Sequence, residues 1–384
     1  MAAHLLRRVG FGASWEQVQQ VFSEGPQAAA DRLLRPPPDY GQFEERVAPI
    51  LSGDAVSWLY RILETPWPVA EKMTLFWHHH FAVGASRAGA SLTASFIELL
   101  RSHALGRFDQ LLAAACRHPA LYAALDARAG RKANPRRGFA SSLLGLYTVG
   151  PGMYSDADVR DTARAFTGAF VLREQFCWLD YEHDRGPKSI LGRQGDFGPE
   201  DVLRVLLEHP ATPRWIVRKL YGWLVSELDT PDDALLAPLA GAFARDYDIG
   251  KLVGTILRSS HFYSPAVVRR RVKSPVEFAA GIAAALEISP AAAPLHQRLA
   301  AIGQNLFEPP TREGWAGGRY WLNSFTRVGR ANLAAALLGQ ANPRAVAERH
   351  GEADPQRFFA DFLLESRTPA PVFDILCSEE FQLA

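Results

Sequence analysis

The sequence predicts a mainly α-helical protein: a single compact multi-helix body over residues 1–384, with one irregular or hairpin insertion near 169–197 and a soft joint near 286–296. Three observations predict it. Proline repeatedly follows a capping residue, at Gly198-Pro199, Thr212-Pro213, Thr230-Pro231, Ser274-Pro275, Asn342-Pro343 and Asp354-Pro355. Proline in the first helical turn costs little, because its missing N–H would be unpaired there, and a preceding Ser, Thr, Asp, Asn or Gly can cap. The stretches after these pairs carry apolar residues at helical spacing, and no internal repeat or low-complexity linker divides them.

Taken along the chain, Ser14 with Gln17 has the form of a capping box. A helical pattern runs from Pro68 through Val69, Met73, Phe76 and Trp77. Phe139, Leu143, Leu146 and Tyr147 share one helical face, and Gly150 reads as its stop. Ser155 caps a helix carrying Val159, Ala163 and Phe166. In 169–197, bulky Phe170, Leu172, Phe176, Trp178 and Tyr181 give way to turn residues, the pattern of a hairpin or long loop. After Pro213, Ile216, Leu220, Trp223 and Leu224 fall on one face, and Ser274 with Glu277 forms a second capping box. A second irregular stretch, 305–324, is rich in Pro, Gly, Trp and Asn.

Composition narrows the function classes. The formal net charge is +1, without the basic excess that phosphate neutralisation demands, so nucleic acid is not expected as a partner. The local basic runs Arg128–Arg137 and Arg269–Lys273 read as solvated loops or helix ends. Cys116, Cys177 and Cys377 are far apart and form no CxxC, which argues against a disulfide framework or thiolate metal site. No apolar run approaches the roughly 18–20 residues needed to span a bilayer, and no signal-like segment follows Met1. The expected compartment is therefore the cytoplasm for the chain as it stands, or export if a leader has been removed. There is no GxGxxG, P-loop or GxSxG pattern.

Three segments carry candidate chemistry. The first is Phe76-Trp77-His78-His79-His80-Phe81. Histidine is the commonest metal ligand and the natural proton carrier near neutrality. Helical rotation of about 100° per residue sends His78 and His80 to nearly opposite sides, so this is no His-x-x-x-His clamp. His80 shares the face of Met73, Phe76 and Trp77; His78 lines up with Thr74 and Glu71. The plainer reading is one core histidine and two at a surface or helix end. The second is Tyr181-Glu182-His183-Asp184-Arg185-Gly186-Pro187-Lys188, an acid–base pair, part of a metal shell, an anion clamp, or simply a charged turn. The third runs from Glu313 to Asn323, where Trp315, Tyr320 and Trp321 as walls, with Arg319 and Asn323 as polar handles, form a candidate substrate pocket or an aromatic-packed loop.

These segments, in this order, resemble the bacterial family called domain of unknown function 1800, nearly end to end. Ala3 through Gly12 (Ala-His-Leu-Leu-Arg-Arg-Val-Gly-Phe-Gly) is similar to its opening motif, and the histidine segment to its Phe-Trp-His-Asn-His-Phe. His183-Asp184-Arg185-Gly186-Pro187-Lys188 resembles its His-Asp-x-Gly-x-Lys. His209 through Thr212, Arg218-Lys219-Leu220, Lys273 through Glu277, and Gly314 through Asn323 also fit. The resemblance implies a helical fold, no settled activity, frequent export and a sulfatase-like partner protein. Arg137, Ser141, Ser142 and Gly145 stand where the family carries Glu, Arg, Glu and Glu. Losing one member of a buried ionic set costs roughly 3–5 kcal/mol, whereas replacing the whole set can be neutral, so joint loss is the expected route.

Two functions follow as expectations. One is a diverged family member acting as a binding or accessory protein. The other is a hydrolase-type enzyme using His78, His80, His183, Asp184 and Lys188, with a divalent metal held by His78, His80, His183 and Asp184.

Overall fold

Side-chain caps set where many of the helices begin. Ser14 and Gln17 exchange both bonds of a capping box ahead of the Trp15–Glu24 helix, as Ser155 and Asp158 do ahead of Asp156–Ala165. Ser274 and Glu277 do the same ahead of Pro275–Ala285. Helices also start at Pro199, Pro343 and Pro355. The Thr212-Pro213 start is corrected: the Ala211–Leu224 helix is already formed at Ala211, where the His209 imidazole accepts the Ala211 N–H at 3.3 Å and Thr212 Oγ1 donates to the Leu206 carbonyl. Pro210 stands at the cap position and Thr212 lies inside the helix.

This computed structural model describes residues 1–228 and 231–384. The Thr230-Pro231 start lies partly outside the described residues; the next helix, Asp233–Phe243, is capped by Asp232. The described residues form 23 α-helices and two antiparallel hairpins. Both hairpins fall inside the 169–197 insertion. β1 (Ala169–Leu172) pairs with β2 (Gln175–Trp178), Phe170 opposite Cys177, and β3 (Lys188–Ile190) pairs with β4 (Arg193–Gly195), Ser189 opposite Gln194. No helix among the described residues is long and apolar enough to cross a membrane.

The Pro68–Phe81 helix, hereafter the histidine helix, runs through the core. Every residue from Val69 to Phe81 except His79 is buried. Glu71 and Lys72 are sealed in with partners. Glu71 takes Arg101 Nε at 2.6 Å and Trp58 Nε1 at 2.7 Å; Lys72 donates to the Gly10 carbonyl at 2.8 Å and to Glu277. A helix buried all round must satisfy its polar residues in this way, because an unpaired interior charge costs several kcal/mol.

The helix expected to stop at Gly150 changes pitch before it gets there. Arg137–Ser142 is α-helical, Leu143–Tyr147 widens into a π turn, and Gly150 has φ +87°. Thr148 Oγ1 donates to the Leu143 carbonyl, and Tyr147 Oη donates to the Phe81 carbonyl, tying this turn to the end of the histidine helix. The four positions that depart from the family pattern do not share one buried setting. Arg137 is exposed and pairs with Asp156, and Ser141 is exposed, whereas Ser142 and Gly145 are buried. A Cβ at Gly145 would collide with the Tyr154 hydroxyl, so Tyr154 fills the space a longer side chain would need.

Candidate functional site

Helical rotation distributes the three histidines as the 100° step requires. His78 is fully buried, edge-on to Trp58 and Trp315 at 5.4 Å each. His80 is fully buried among Phe76, Trp77, Phe81, Phe108 and Tyr147. The His78 ring has no hydrogen-bond partner among the described residues, and the His80 ring has at most a weak approach to the Tyr147 backbone. Burial pushes the His78 imidazole down to about 3, with His79 adding to it, and pushes His80 well below its ordinary value, with Lys219 next. Both are neutral near pH 7. His80 lies in the core, as its face predicted, and His78 is equally enclosed.

The histidine that meets open space is His79, which the sequence singled out only as a departure from the family's Asn. Its Nδ1 accepts the Trp315 backbone N–H at 3.1 Å. A neutral ring whose Nδ1 is an acceptor carries its proton on Nε2, so Nε2 is a donor. Near-parallel Trp223 and Trp315 flank the ring, at 5.8 and 6.3 Å. Gly314 makes this approach possible. It has φ +87°, and a Cβ there would run into the His79 imidazole and carbonyl. Gly314→Ala is therefore expected to cost roughly 1–3 kcal/mol and to loosen the loop. Denaturant unfolding checks this: an unchanged midpoint would mean that the loop docks some other way.

His79 lines a cavity of about 240 Å³ together with Lys219, Trp223, Arg271, Trp315 and Trp321. Lys219, on the Ala211–Leu224 helix, has no carboxylate within ion-pair distance among the described residues. It lies 5.5 Å from the Trp215 ring, and its one hydrogen bond, to the Leu146 carbonyl, is long at 3.5 Å. Burial lowers its amine to about 8, opposed by the charge of Glu313. Arg271 lies 4.8 Å from the Trp223 ring and pairs with Glu277. Burial works against its charge, but Glu277 and Glu227 outweigh that and hold it cationic.

Two carboxylates hold the site together, Glu227 in the cavity lining and Glu277 outside it, bound to Arg271. Glu277 receives Lys72, Arg271 and the Ser274 N–H, so the capping box seen in the sequence also anchors a buried charge network. Burial raises its carboxyl, and Arg271 and then Lys72 more than reverse that, leaving it far below the usual range. Glu227 accepts from Val272 N at 2.6 Å and from Gly318 N at 3.1 Å, joining the Arg271 segment to the loop around Gly317. Sequence reasoning missed Lys219, Arg271, Glu227 and Glu277. The first lay in the Arg218-Lys219-Leu220 motif, and Arg271 was read as part of a solvated basic run.

The other expected site residues lie elsewhere. Trp315 and Trp321 line the cavity, but Arg319 and Tyr320 are exposed and Asn323 caps the Ser324–Leu338 helix, accepting from Thr326 N at 3.0 Å. His183 donates from Nδ1 to the Thr167 carbonyl at 2.8 Å and packs on Trp178. Asp184 clamps Arg164 through Nε at 2.7 Å and Nη2 at 3.1 Å, and that guanidinium holds its carboxyl below the ordinary range. Lys188 donates to the Asp184 and Gly186 carbonyls and to Asp196. These residues staple the insertion, and the cavity takes none of its lining from 181–188. Among the described residues no three His, Cys, Asp or Glu side chains are grouped to hold a metal ion, so His78, His80, His183 and Asp184 do not form such a set. Asp184→Asn is expected to cost about 1 kcal/mol, since the Arg164 pair is partly solvated. Amide exchange should quicken across 180–196 while the cavity's tryptophan fluorescence stays unchanged; a changed spectrum would couple the two regions.

No curated protein and no solved structure matches the chain. A family model described as protein of unknown function (DUF1800) matches residues 4–376. That match covers the opening motif, the histidine helix, the stapled insertion and the tryptophan loop, and it is nearly the whole length: the chain belongs to the DUF1800 family.

Proposed function

We propose that the protein is a binding protein whose ligand is a small organic anion with a flat or ring-shaped body, held in the cavity beside His79. The observation that supports this reading is the polarity of the lining. Lys219, Arg271 and His79 Nε2 are donors, and Lys219 has no carboxylate partner among the described residues; Glu227 also lines the cavity, but its two oxygens accept from the Val272 and Gly318 N–H groups. Trp223, Trp315 and Trp321 supply apolar faces. A largely apolar cleft with a few convergent donors fits a ligand with an anionic head and an aromatic or sugar body. The accessory role beside a sulfatase-like partner protein, implied by the family resemblance, is compatible with such a site. The hydrolase reading has less support, because His183, Asp184 and Lys188 are each engaged in the insertion and the His79 Nδ1 lone pair is taken.

The test is a titration of intrinsic tryptophan fluorescence with phenyl phosphate, 4-hydroxybenzoate and glucose 6-phosphate, against benzamidine and methyl glucoside as cationic and neutral controls. Saturable change with at least one anion and none with the controls is expected. Equal responses to all five, or none to any anion, would overturn the reading.

A further inference from the structure

A second, smaller cavity lies beside the N-terminal helix Ala2–Val9. Its volume is about 30 Å³, and Arg7, Lys273, Phe381 and Leu363 are among its lining. Lys273 is 3% exposed, and its ammonium makes no hydrogen bond or ion pair among the described residues; it rests 3.6 Å from the Phe381 ring centroid. Arg7 leaves Nε and Nη2 without partners. Two further buried guanidiniums are under-satisfied. Arg8 donates only from Nη2, to the Val267 carbonyl, and Arg330 leaves Nη1 free while bonding Gln382 and the Lys273 carbonyl.

Negative charge near them is limited to carboxylates that form no ion pair with them: Glu365 favours the Arg7 charge, and Glu277 and Glu227 favour that of Arg8. Among the described residues the buried carboxylates are Glu71 and Glu277. Glu71 is spent on Arg101 and Trp58, and Glu277 on Lys72 and Arg271. Glu380 lines the cavity but is exposed and beyond ion-pair distance of Arg7 and Lys273. Burial, with Arg7 next, drives the Lys273 amine well below its ordinary value. Loss of that proton does not remove the problem, because a guanidinium keeps its charge in proteins. An interior cation without a counter-charge costs several kcal/mol.

We propose that this cavity is a binding site for a monatomic anion such as chloride, held between Arg7 and Lys273. The room suits one. A water needs about 10–15 Å³ measured this way, and the cavity offers about twice that. The anion supplies the charge that Glu277 cannot share further, and it locks the N-terminal helix to the segment leading into Pro275–Ala285. This site is independent of the organic-anion cavity, which shares neither Arg7 nor Lys273.

The experiment is thermal unfolding of the full chain in sodium chloride against sodium gluconate at equal ionic strength. Chloride should raise Tm by a few °C and saturate, following ligand linkage. Lys273→Met and Arg7→Met should each abolish the chloride dependence, whereas Lys219→Met should keep it. A parent protein indifferent to the exchange, or a Lys273→Met protein with undiminished dependence, would overturn the proposal. Because Lys273→Met changes a buried position, chloride NMR line broadening is measured on the parent protein as well. Broadening that bromide competes away is expected, and its absence is equally fatal.

Discussion

Glu277→Gln should destabilise the protein by about 3–5 kcal/mol, the cost of removing one partner from a buried ionic set. The residue is 2% exposed and serves Lys72, Arg271 and the Ser274 cap at once. Its amide replacement would keep the shape and one acceptor but leave two interior cations with no carboxylate between them. The same carboxylate sets an acid limit. Its folded pKa lies far below the ordinary 4.5, so its contribution is complete above about pH 4.5 and is lost as pH falls toward the folded value. Acid unfolding in that window should flatten in Glu277→Gln. Replacing Lys72 by Met in the same chain should return part of the loss, since one stranded charge is gone. A Glu277→Gln midpoint within about 1 kcal/mol of the parent would show that the network carries little, because isolated surface pairs alone reach that value.

Anion affinity at the larger cavity should track the Lys219 ammonium. Burial lowers that amine to about 8, so it is cationic below that pH and neutral above it. Arg271 keeps its charge throughout and His79, pushed down to about 3 by burial and then by Lys219, stays neutral above that, so neither contributes a break near 8. Binding of the anionic probe should therefore be flat below about pH 8 and weaken about tenfold per unit above it. Lys219→Met removes a charge-assisted hydrogen bond worth roughly 1.5–3 kcal/mol, about a 10- to 100-fold loss, and should also erase the pH dependence. A parent profile without a break, or the same break in Lys219→Met, would place the anion elsewhere.

The paired features of this chain show where reading from sequence stops. The 100° step along Pro68–Phe81 correctly separates His78 from His80, because rotation along one helix is a local property. It cannot say which side meets a partner element. His79 became the cavity histidine because the Gly314 loop folds back over 200 residues later and donates Trp315 N–H to its ring. Trp315 and Trp321 line the cavity beside the glycines that surround them in sequence, while Asn323 satisfies a local demand for a helix cap. Arg271 read as a solvated charge because charge runs usually are; only the packing of Glu277 and Trp223 around it shows otherwise.

By itself the sequence determined what depends on neighbours within a few residues: the capping boxes at Ser14 and Ser274, the cap at Ser155, the helical stretches after the proline starts, the irregular or hairpin character of 169–197 and the family's motif order. Tertiary structure alone decided which polar residues leave water. Glu71, Lys72, Arg271 and Lys273 are interior, with Lys219 beside the cavity, and the 181–188 turn staples its own hairpins. The physical reason is that capping and periodicity are fixed by bonds spanning three or four positions. The cost of burying a charge depends on partners that the chain brings from hundreds of residues away.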